Sequence, residues 1–372
     1  MAAPKKDTNN TRLFSLDALR GFDMLFIMGL APLMVAITKF APESNAMGFL
    51  AKQMHHVSWN GFAHHDTIFP LFLFIAGISF PYSLEKQRSM GKSNKEIQYK
   101  IIKRGIVLVL LGFVCNGILK LDFENMRYTS VLGRIGIAWM FAALFFTNFK
   151  LNVNITISFL ILLGYWLLLW LVPDSTTPYS YEDNLVGVVD RAILPGRLYE
   201  DNFFDPEGIL STLPAIATAL LGMFTGVFVK TSKEIVSDNK KALYMLLAAV
   251  VFLVIGLVWN TVFPINKKLW TSSFVCVAAS YSLFMFALFY YIIDVKGYSR
   301  WAFFLRVVGL NSITIYVAQR IIGFKQISNF FLEGVANLSP TNIGELITRI
   351  GYITVCWLFL YFLYQKNIFL KV

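Results

Sequence analysis

Long apolar segments without charged residues recur along most of this chain, and they constrain its fold more than any other feature. Each is about 20 residues long, the length of an α-helix that crosses the hydrocarbon core of a bilayer. The 372 residues are 56% hydrophobic and 15% charged, whereas a soluble domain carries about 25% charged residues. The strands of a transmembrane barrel would alternate apolar and polar residues, but these segments are continuous. The sequence therefore predicts an all-α, polytopic membrane protein.

About ten membrane spans are predicted from the charge-free lengths and from the turn residues that flank them. They cover residues 19–38, 67–84, 101–119, 131–147, 154–172, 209–229, 241–263, 270–293, 302–323 and 344–364. No internal repeat is evident, and no linker rich in Pro, Gly or Ser divides the chain. We therefore expect a single transmembrane domain over 1–372, with residues 1–12 as a flexible cytoplasmic N-terminus.

The basic residues predict the orientation of the spans. With the N-terminus in the cytoplasm, about 21 of the 33 Lys and Arg residues fall on the inner side, as the positive-inside rule requires. The loop 173–208 is acidic and belongs outside, together with loops 39–66 and 324–343, so both termini are cytoplasmic. The net charge of +11 does not indicate nucleic-acid binding, because the basic residues lie in short membrane loops rather than on a soluble domain.

All four histidines lie within one outer loop, at His55, His56, His64 and His65. Histidine is the side chain whose ordinary pKa lies nearest neutral pH, so the cluster indicates proton-transfer chemistry. Asp66 follows directly, at the start of an apolar run. Its carboxylate could hold a histidine in one tautomer, as in catalytic dyads, or it could simply cap the helix that begins there. A solvated His-rich loop is the plainer alternative.

A metal site is a further interpretation of the histidine loop, and the sequence does not favour it. Adjacent residues point apart on a helix or a strand, so at most one histidine of each pair converges easily on an ion. The three cysteines, Cys115, Cys276 and Cys356, are far apart and lie in apolar segments, where core packing is their expected role. We expect no metal.

Three arginines near span ends are candidates for binding an anionic cosubstrate. Arg20 lies three residues after Asp17 and can pair with it on one helix face, which would also explain it as an interfacial anchor. Arg104 and Arg134 fall within predicted spans, where an unpaired guanidinium is costly. Guanidinium groups suit phosphates, although a carboxylate partner would explain each arginine equally well.

A second set of polar and aromatic residues suits a sugar, which proteins recognise by hydrogen bonds and ring stacking. Each also has a plainer explanation, as a polar loop residue, a turn residue or part of the aromatic belt at the membrane surface. Asn311, within span 302–323, could line a cavity. The candidates are Trp59, Asn60, Glu207, Asn266, Trp270 and Asn311.

Taken in order, these clusters resemble the heparan-α-glucosaminide N-acetyltransferase family of transmembrane acyltransferases. Each piece is a weak signal alone, and their shared order over nearly the whole chain makes the combination specific. The pieces are Arg12-x-x-Ser15-x-Asp17-x-x-Arg20-Gly21, His56-x-Ser58-Trp59-Asn60-Gly61, Asp66-x-x-Phe69-Pro70, Phe74-Ile75-x-Gly77-x-Ser79, Val131-Leu132-x-Arg134-x-Gly136, Asp205-Pro206-Glu207-Gly208-x-Leu210-x-Thr212, Pro264-x-Asn266-Lys267-x-Leu269-Trp270, Asp294-Val295-Lys296-Gly297 and Asn311-Ser312-Ile313.

The resemblance implies that acetyl-CoA in the cytoplasm donates an acetyl group across the membrane to a glucosamine-type amino sugar. It places the active histidine at His56, as a general base or as a covalent acetyl carrier, with Asp66 orienting it. It also implies an asparagine in the outer half of the first span, where this chain has Ala31. A bacterial inner-membrane relative is the expected setting.

These implications divide the candidates into a donor side and an acceptor side. Arg20, Arg104 and Arg134 are expected to bind the donor, and the sugar-type residues to bind the acceptor. The expected partners are acetyl-CoA, the amino sugar and the lipid bilayer, without nucleic acid, and a homodimer is left open. The rival hypothesis is an amino-sugar or oligosaccharide transporter, which the missing internal symmetry disfavours.

Overall fold

The computed structural model describes residues 13–172, 175–199 and 203–370. Helices account for nearly all the regular structure in these ranges, which hold no β-strand beyond an isolated bridge between Arg127 and Gly196. The α-helices are α1 (Phe14–Leu25), α2 (Ala31–Thr38), α3 (Asn45–Gln53), α4 (Ile68–Ser89), α5 (Asn94–Cys115), α6 (Val131–Asn148), α7 (Leu151–Leu171), α8 (Leu185–Ile193), α9 (Thr212–Lys230), α10 (Asp238–Trp259), α11 (Ser272–Phe289), α12 (Phe303–Leu310), α13 (Ser312–Ile321), α14 (Phe324–Leu338) and α15 (Thr341–Gln365).

Within the described ranges, eight helical segments are long and apolar enough to cross a membrane. They are Phe14–Thr38, His64–Ser89, Val131–Asn148, Leu151–Leu171, Thr212–Lys230, Asp238–Trp259, Ser272–Val295 and Thr341–Gln365. The prediction of an all-α, polytopic membrane protein is confirmed. Of the other two predicted spans, 101–119 lies largely in α5, whose first half carries several charges.

The predicted span 302–323 is not one continuous helix. It is divided into α12 and α13, and the break falls at Asn311, whose backbone leaves the helical region at φ −125° and ψ 32°. The segment 324–343, which was expected to be a loop, is mostly helical, because residues Phe324–Leu338 form α14. The outer loops 39–66 and 173–208 likewise contain the short helices α3 and α8.

Helix starts follow the capping residues in the sequence. Ser93 begins α5 with a capping box, in which its hydroxyl accepts from the amide of Glu96 at 3.3 Å and the Glu96 carboxylate accepts from the amide of Ser93 at 2.8 Å. Ser130 caps α6 and Thr271 caps α11 through a single bond, in which the side-chain hydroxyl accepts from the amide three residues further on. Such caps satisfy amide groups that a helix leaves unpaired at its first turn.

Cross-contacts between the loops define two ends of the bundle. The histidine end comprises loops 54–63, 116–130, the described part of 175–211, and 260–271, which contact one another. The basic end comprises loops 90–93, 149–150, 231–237 and 296–302. The ion pair between Lys230 and Glu85, at 2.6 Å, joins the ends of α9 and α4 there. Two polar regions are therefore separated by the length of α4.

Candidate functional site

The histidine loop closes on itself just before α4. Residues His64–Thr67 form a 3-10 turn that leads directly into that helix. Asp66 is the third residue of the turn and is only 1% exposed, and its Oδ2 accepts from the amide of Ala63 at 3.1 Å. This turn fixes in one position the carboxylate that the sequence predicted either to orient a histidine or to cap the helix.

His56 and Asp66 form a hydrogen-bonded pair. The Nδ1 atom of His56 lies 2.8 Å from Oδ1 of Asp66, while 49% of the His56 side chain is exposed. A carboxylate beside Nδ1 favours the tautomer with the proton on that nitrogen, which leaves the lone pair of Nε2 for proton transfer. The structure thus brings together the two residues that the sequence predicted as a pair, with an exposed imidazole and a buried carboxylate.

Lys267 is the residue of this site that the sequence interpretation missed. Its Nζ atom lies 3.0 Å from Nδ1 and 3.3 Å from Nε2 of His56, and 3.6 Å from Oδ1 of Asp66. Burial lowers the pKa of Lys267, and the neighbouring carboxylate of Asp66 opposes that change. A signal was present, because Lys267 is a basic residue on the side where the positive-inside rule disfavours one.

Two backbone and side-chain ties hold the loop of Lys267 against the histidine loop. The amide of Gly61 donates to the carbonyl of Ile265 at 2.8 Å, and the Nδ2 atom of Asn266 donates to Oδ1 of Asn60 at 3.1 Å. Asn266 also accepts from the amide of Leu269 at 2.9 Å. Asn60 and Asn266, predicted to bind a sugar, therefore use amide atoms to assemble the site.

The two predicted tryptophans are packed into the histidine end. Trp270 is 1% exposed, its backbone has a φ of 53°, and its indole N–H donates to the hydroxyl of Thr218 at 3.3 Å. Trp59 donates to the carbonyl of Tyr179 at 2.9 Å and contacts the ring of Phe204 edge-on. Both indole N–H groups are engaged inside the protein, so each ring acts first as packing for the site.

Glu207 lies in a charged cluster beside these loops. Arg127 bonds to both Asp205 and Glu207, and its Nε donates to Oδ2 of Asp205 at 2.6 Å. Burial works against ionisation of Asp205, but Arg127 outweighs it and lowers the pKa of that carboxyl. Asp190 accepts from the amides of Asp205 and Ile209, and burial raises its pKa to about 6.

Arg134 lies at the histidine end, apart from the other two arginines predicted to bind the donor. It is 2% exposed, bonds to the hydroxyl of Ser211 and to the carbonyl of Gly208, and places its guanidinium 5.1 Å from the ring centre of Trp270. Its Nε and Nη1 atoms are buried without a hydrogen-bond partner among the described residues. The structure therefore groups Arg134 with the acceptor candidates.

Of the other histidines, His65 contacts the pair, whereas His64 and His55 have other surroundings. The ring of His65 lies 4.4 Å from that of His56, and His64 packs 4.5 Å from Phe26. His55 is exposed. Over the described ranges, no group of three or more His, Cys, Asp or Glu side chains is arranged to hold a metal ion. Ala31, where the family resemblance implies an asparagine, is buried in an apolar cluster.

Arg20, Arg104 and Asn311 line one cavity of about 720 Å³ on the side of the basic end. Arg20 donates to the hydroxyl of Ser79 at 3.2 Å and pairs with Asp17 at 3.7 Å. Arg104 lies 4.3 Å from the ring centre of Trp139, and its buried Nε has no hydrogen-bond partner in the described part of the chain. Lys86 adds a third positive charge.

Asn311 shapes this cavity from the break between α12 and α13. Its Nδ2 atom donates to the carbonyl of Ile368 at 2.9 Å, and its Oδ1 accepts from the amide of Leu370 at 3.3 Å. These bonds hold the segment after α15 against the cavity, whose lining includes Phe369 and Leu370. Asn311 was predicted to bind the acceptor, and the structure places it with the donor candidates.

The cavity extends along α4 toward the His56–Asp66 pair. Phe72 is the residue of α4 nearest to Asp66 that lines the cavity. It lies six positions after Asp66, which corresponds to about 9 Å along a helix axis. The cavity and the His56–Asp66 pair therefore lie along the same helix and the turn that precedes it.

Fold and site together define a polytopic helical membrane protein with a His–Asp pair at one end and an arginine-lined cavity toward the other. The family described as "Heparan-alpha-glucosaminide N-acetyltransferase, catalytic" matches residues 12–256, and the chain belongs to this family. The resemblance seen in the sequence motifs is thereby confirmed. The match includes Arg20, His56, Asp66, Arg104, Arg134 and Glu207.

Two curated relatives carry the same name. The chain is 27% identical to the heparan-alpha-glucosaminide N-acetyltransferase of Homo sapiens over 420 aligned positions, covering 97% of this chain and 60% of the human protein. It is 27% identical to the Mus musculus protein of that name, covering 85% of this chain and 56% of the mouse protein. The chain thus spans about 60% of the human relative's length.

Proposed function

We propose that this protein is a transmembrane acetyltransferase that moves an acetyl group from cytoplasmic acetyl-CoA to an amino sugar on the opposite side. The observation that carries the proposal is the hydrogen-bonded pair of His56 and Asp66, in which Nε2 of an accessible imidazole keeps the lone pair that can accept a proton. The names of the curated relatives support acetyl transfer to a glucosamine-type amine.

The cavity at the basic end suits the phosphates of the donor. Arg20, Lys86 and Arg104 outnumber the single carboxylate of Asp17 among its charged lining residues. The buried Nε of Arg104 has no acceptor among the described residues, and a phosphate oxygen would supply one. The donor contributes an activated acetyl thioester, and its acetyl-bearing arm would extend along α4 from the cavity toward Asp66.

His56 has two chemical roles open to it. As a general base, its Nε2 takes the proton from the attacking amine or hydroxyl of the acceptor. As a nucleophile, the same nitrogen carries the acetyl group covalently before the acceptor takes it. Asp66 supports both roles, because a buried carboxylate holds the ring and stabilises the positive charge that forms on it.

The acceptor is proposed to bind at the histidine end. Glu207 and the two unpartnered nitrogens of Arg134 are the polar groups near the site, and Trp59 contributes an aromatic wall beside Tyr181. The basic end faces the cytoplasm in this proposal, which follows the distribution of Lys and Arg. A bacterial cytoplasmic membrane remains the predicted setting.

The test is acetyl transfer by the purified protein. Radiolabelled acetyl-CoA and a panel of amino sugars that includes glucosamine should yield labelled N-acetyl product and free CoA. His56→Ala and Asp66→Asn should each reduce the turnover by about 10²- to 10⁴-fold, because general acid–base catalysis and its orienting group contribute that much. His55→Ala is the matched control, since His55 is the exposed neighbour, and it should retain activity.

Two results would contradict this function. One is the absence of acetyl transfer and CoA release with every acceptor in the panel. The other is uptake of labelled amino sugar into proteoliposomes that contain no acetyl-CoA, which would identify a transporter instead. A transient acetyl group on His56, detected by mass spectrometry of rapidly quenched enzyme, would distinguish the covalent route from direct transfer.

A further inference from the structure

We propose that Lys267 is a catalytic residue whose ammonium group donates a hydrogen bond to the carbonyl oxygen of the acetyl group while negative charge develops there. The inference rests on the proposed acetyl transfer and adds a third group to the His56–Asp66 pair. It is carried by the position of Lys267 Nζ, 3.0 Å from His56 and 3.6 Å from Asp66.

The pair offers fewer acceptors than the ammonium of Lys267 has N–H donors. If Nδ1 of His56 carries its proton toward Asp66, that nitrogen has no lone pair for Lys267. Nε2 then holds the lone pair of the ring, and the ammonium lies 3.3 Å from it, within hydrogen-bond distance. The remaining contact to Oδ1 of Asp66, at 3.6 Å, is longer than a hydrogen bond.

Lys267 is nevertheless held at this position. Only 19% of its side chain is exposed, and its loop is tied to the histidine loop at Gly61 and Asn60. An ammonium has three N–H donors, so Nε2 can satisfy only one of them, and burying the others without acceptors is costly. A carbonyl oxygen held beside Nε2 of His56 would supply a further acceptor at the place where the acceptor sugar attacks.

The step balances with these groups. The lone pair of the sugar nitrogen forms a bond to the carbonyl carbon, and the C=O π pair moves onto the oxygen, where Lys267 stabilises it. His56 Nε2 takes the proton from the sugar nitrogen. The C=O bond then re-forms, the C–S bond breaks, and the departing sulfur takes the proton from His56. Lys267 keeps its charge throughout, as a preorganised electrostatic donor does.

The inference requires the charged form of Lys267, which gives it a pH signature. The carboxylates of Asp66 and Glu207 favour the ammonium, Arg134 opposes it, and burial lowers the pKa of Lys267 from its ordinary value. The rings of His56 and His65 also face it. As the pH rises, Lys267 loses its proton, so turnover should decrease on the basic side at a lower pH than an exposed lysine would produce.

The first test compares two lysines of the same turn. Lys267→Met should lower kcat by about 10²- to 10³-fold, the usual loss for one donor to a developing oxyanion, while the KM for acetyl-CoA changes little. Lys268→Met, at the neighbouring position, should leave kcat within a few-fold of the unsubstituted protein. Unchanged kcat in Lys267→Met would overturn the inference, provided that the unsubstituted enzyme transfers acetyl groups.

The second test uses Lys267→Arg and stays decisive even if Lys267→Met does not fold. A guanidinium stays charged at every accessible pH, so the basic decrease in the kcat profile should move to higher pH or disappear. An unshifted profile would mean that Lys267 does not supply the charge. If the unsubstituted protein itself transfers no acetyl group to any acceptor, the proposed function fails, and that result is distinct from failure of Lys267 alone.

Discussion

At the scale of single residues, Arg104 is the side chain whose surroundings point most directly to an absent anion. Its guanidinium packs on Trp139 at 4.3 Å, and its buried Nε has no acceptor within the described ranges. Arg20 faces the same cavity, and Asp17 pairs with it at 3.7 Å. Arg104 therefore brings positive charge to the cavity that the Asp17–Arg20 pair does not balance, which favours an anion there.

Arg104→Met should therefore weaken binding of the donor's phosphates and leave the chemical step intact. We expect the KM for acetyl-CoA to rise by about tenfold or more, since a charge-assisted hydrogen bond contributes roughly 1.5–3 kcal/mol. S-acetylpantetheine carries the thioester without the nucleotide phosphates, so its KM should not change. Steady-state kinetics with the two donors measures the difference.

Lys103→Met supplies the matched control for Arg104. Lys103 precedes it in α5 and is exposed, so its loss removes the same charge without altering the cavity. An equal rise in KM for both donors in Arg104→Met would indicate a general disturbance of the cavity. An equal effect of Lys103→Met would indicate that only the overall positive charge of this region matters.

The sequence predicts the His56–Asp66 pair because both residues belong to one loop, ten positions apart. Lys267 lies more than two hundred positions away, and its contact with His56 depends on how two loops meet. That meeting is set by the amide of Gly61 and by the pairing of Asn60 with Asn266. Single-sequence patterns do not reveal such long-range contacts, so the unusual position of Lys267 in a predicted outer loop does not by itself place it beside His56.

At the scale of helices, two glycines let α4 and α9 approach at the centre of the bundle. A Cβ atom added at Gly222 would lie 2.2 Å from the carbonyl oxygen of Phe74, and one added at Gly77 would lie 2.3 Å from that of Ala219. Both obstacles are backbone atoms, which cannot rotate away. Membrane helices gain little from the hydrophobic effect when they associate, because lipid tails are as apolar as their side chains. Small residues at the crossing let the two backbones pack closely instead.

Gly222→Ala should therefore destabilise the protein although alanine is the better helix former. We expect a loss of about 1–3 kcal/mol from overpacking, seen as a lower melting temperature in detergent. Gly164→Ala is the control, because nothing lies within 4 Å of a Cβ atom at that position of α7. Its melting temperature should stay the same or rise, because alanine is favoured over glycine in a helix by about 1 kcal/mol. Equal melting temperatures for the two variants would contradict the close approach.

Sequence patterns predict the long, apolar helices well and fail where polar residues interrupt them. Segment 302–323 has the length of a span, yet it breaks at Asn311, whose amide holds Ile368 and Leu370. A broken helix is tolerated in a membrane protein where its freed groups line a cavity. The break therefore follows from a contact with the chain's last segment, which hydropathy does not report.

At the scale of the whole molecule, the protein has two chemically different ends joined through α4. The histidine end gathers carboxylates, imidazoles and indoles, whereas the basic end gathers lysines, of which Lys86 lines the cationic cavity. An anionic donor attracted to the basic end would not have to cross the hydrocarbon region, since only its acetyl-bearing arm need extend toward His56. Transfer across the membrane thus depends on which end faces the cytoplasm.

Cysteine labelling of one exposed residue at each end tests this orientation. Glu182→Cys places a thiol at the histidine end and Glu234→Cys places one at the basic end, both at exposed positions. In intact cells, a membrane-impermeant maleimide should label Glu182→Cys, and Glu234→Cys only after permeabilisation, because the basic loops face inward. The native cysteines are buried or half-buried, so the unsubstituted protein gives the background. The reverse labelling would place the donor cavity outside, and acetyl transfer from cytoplasmic acetyl-CoA through this cavity would then be excluded.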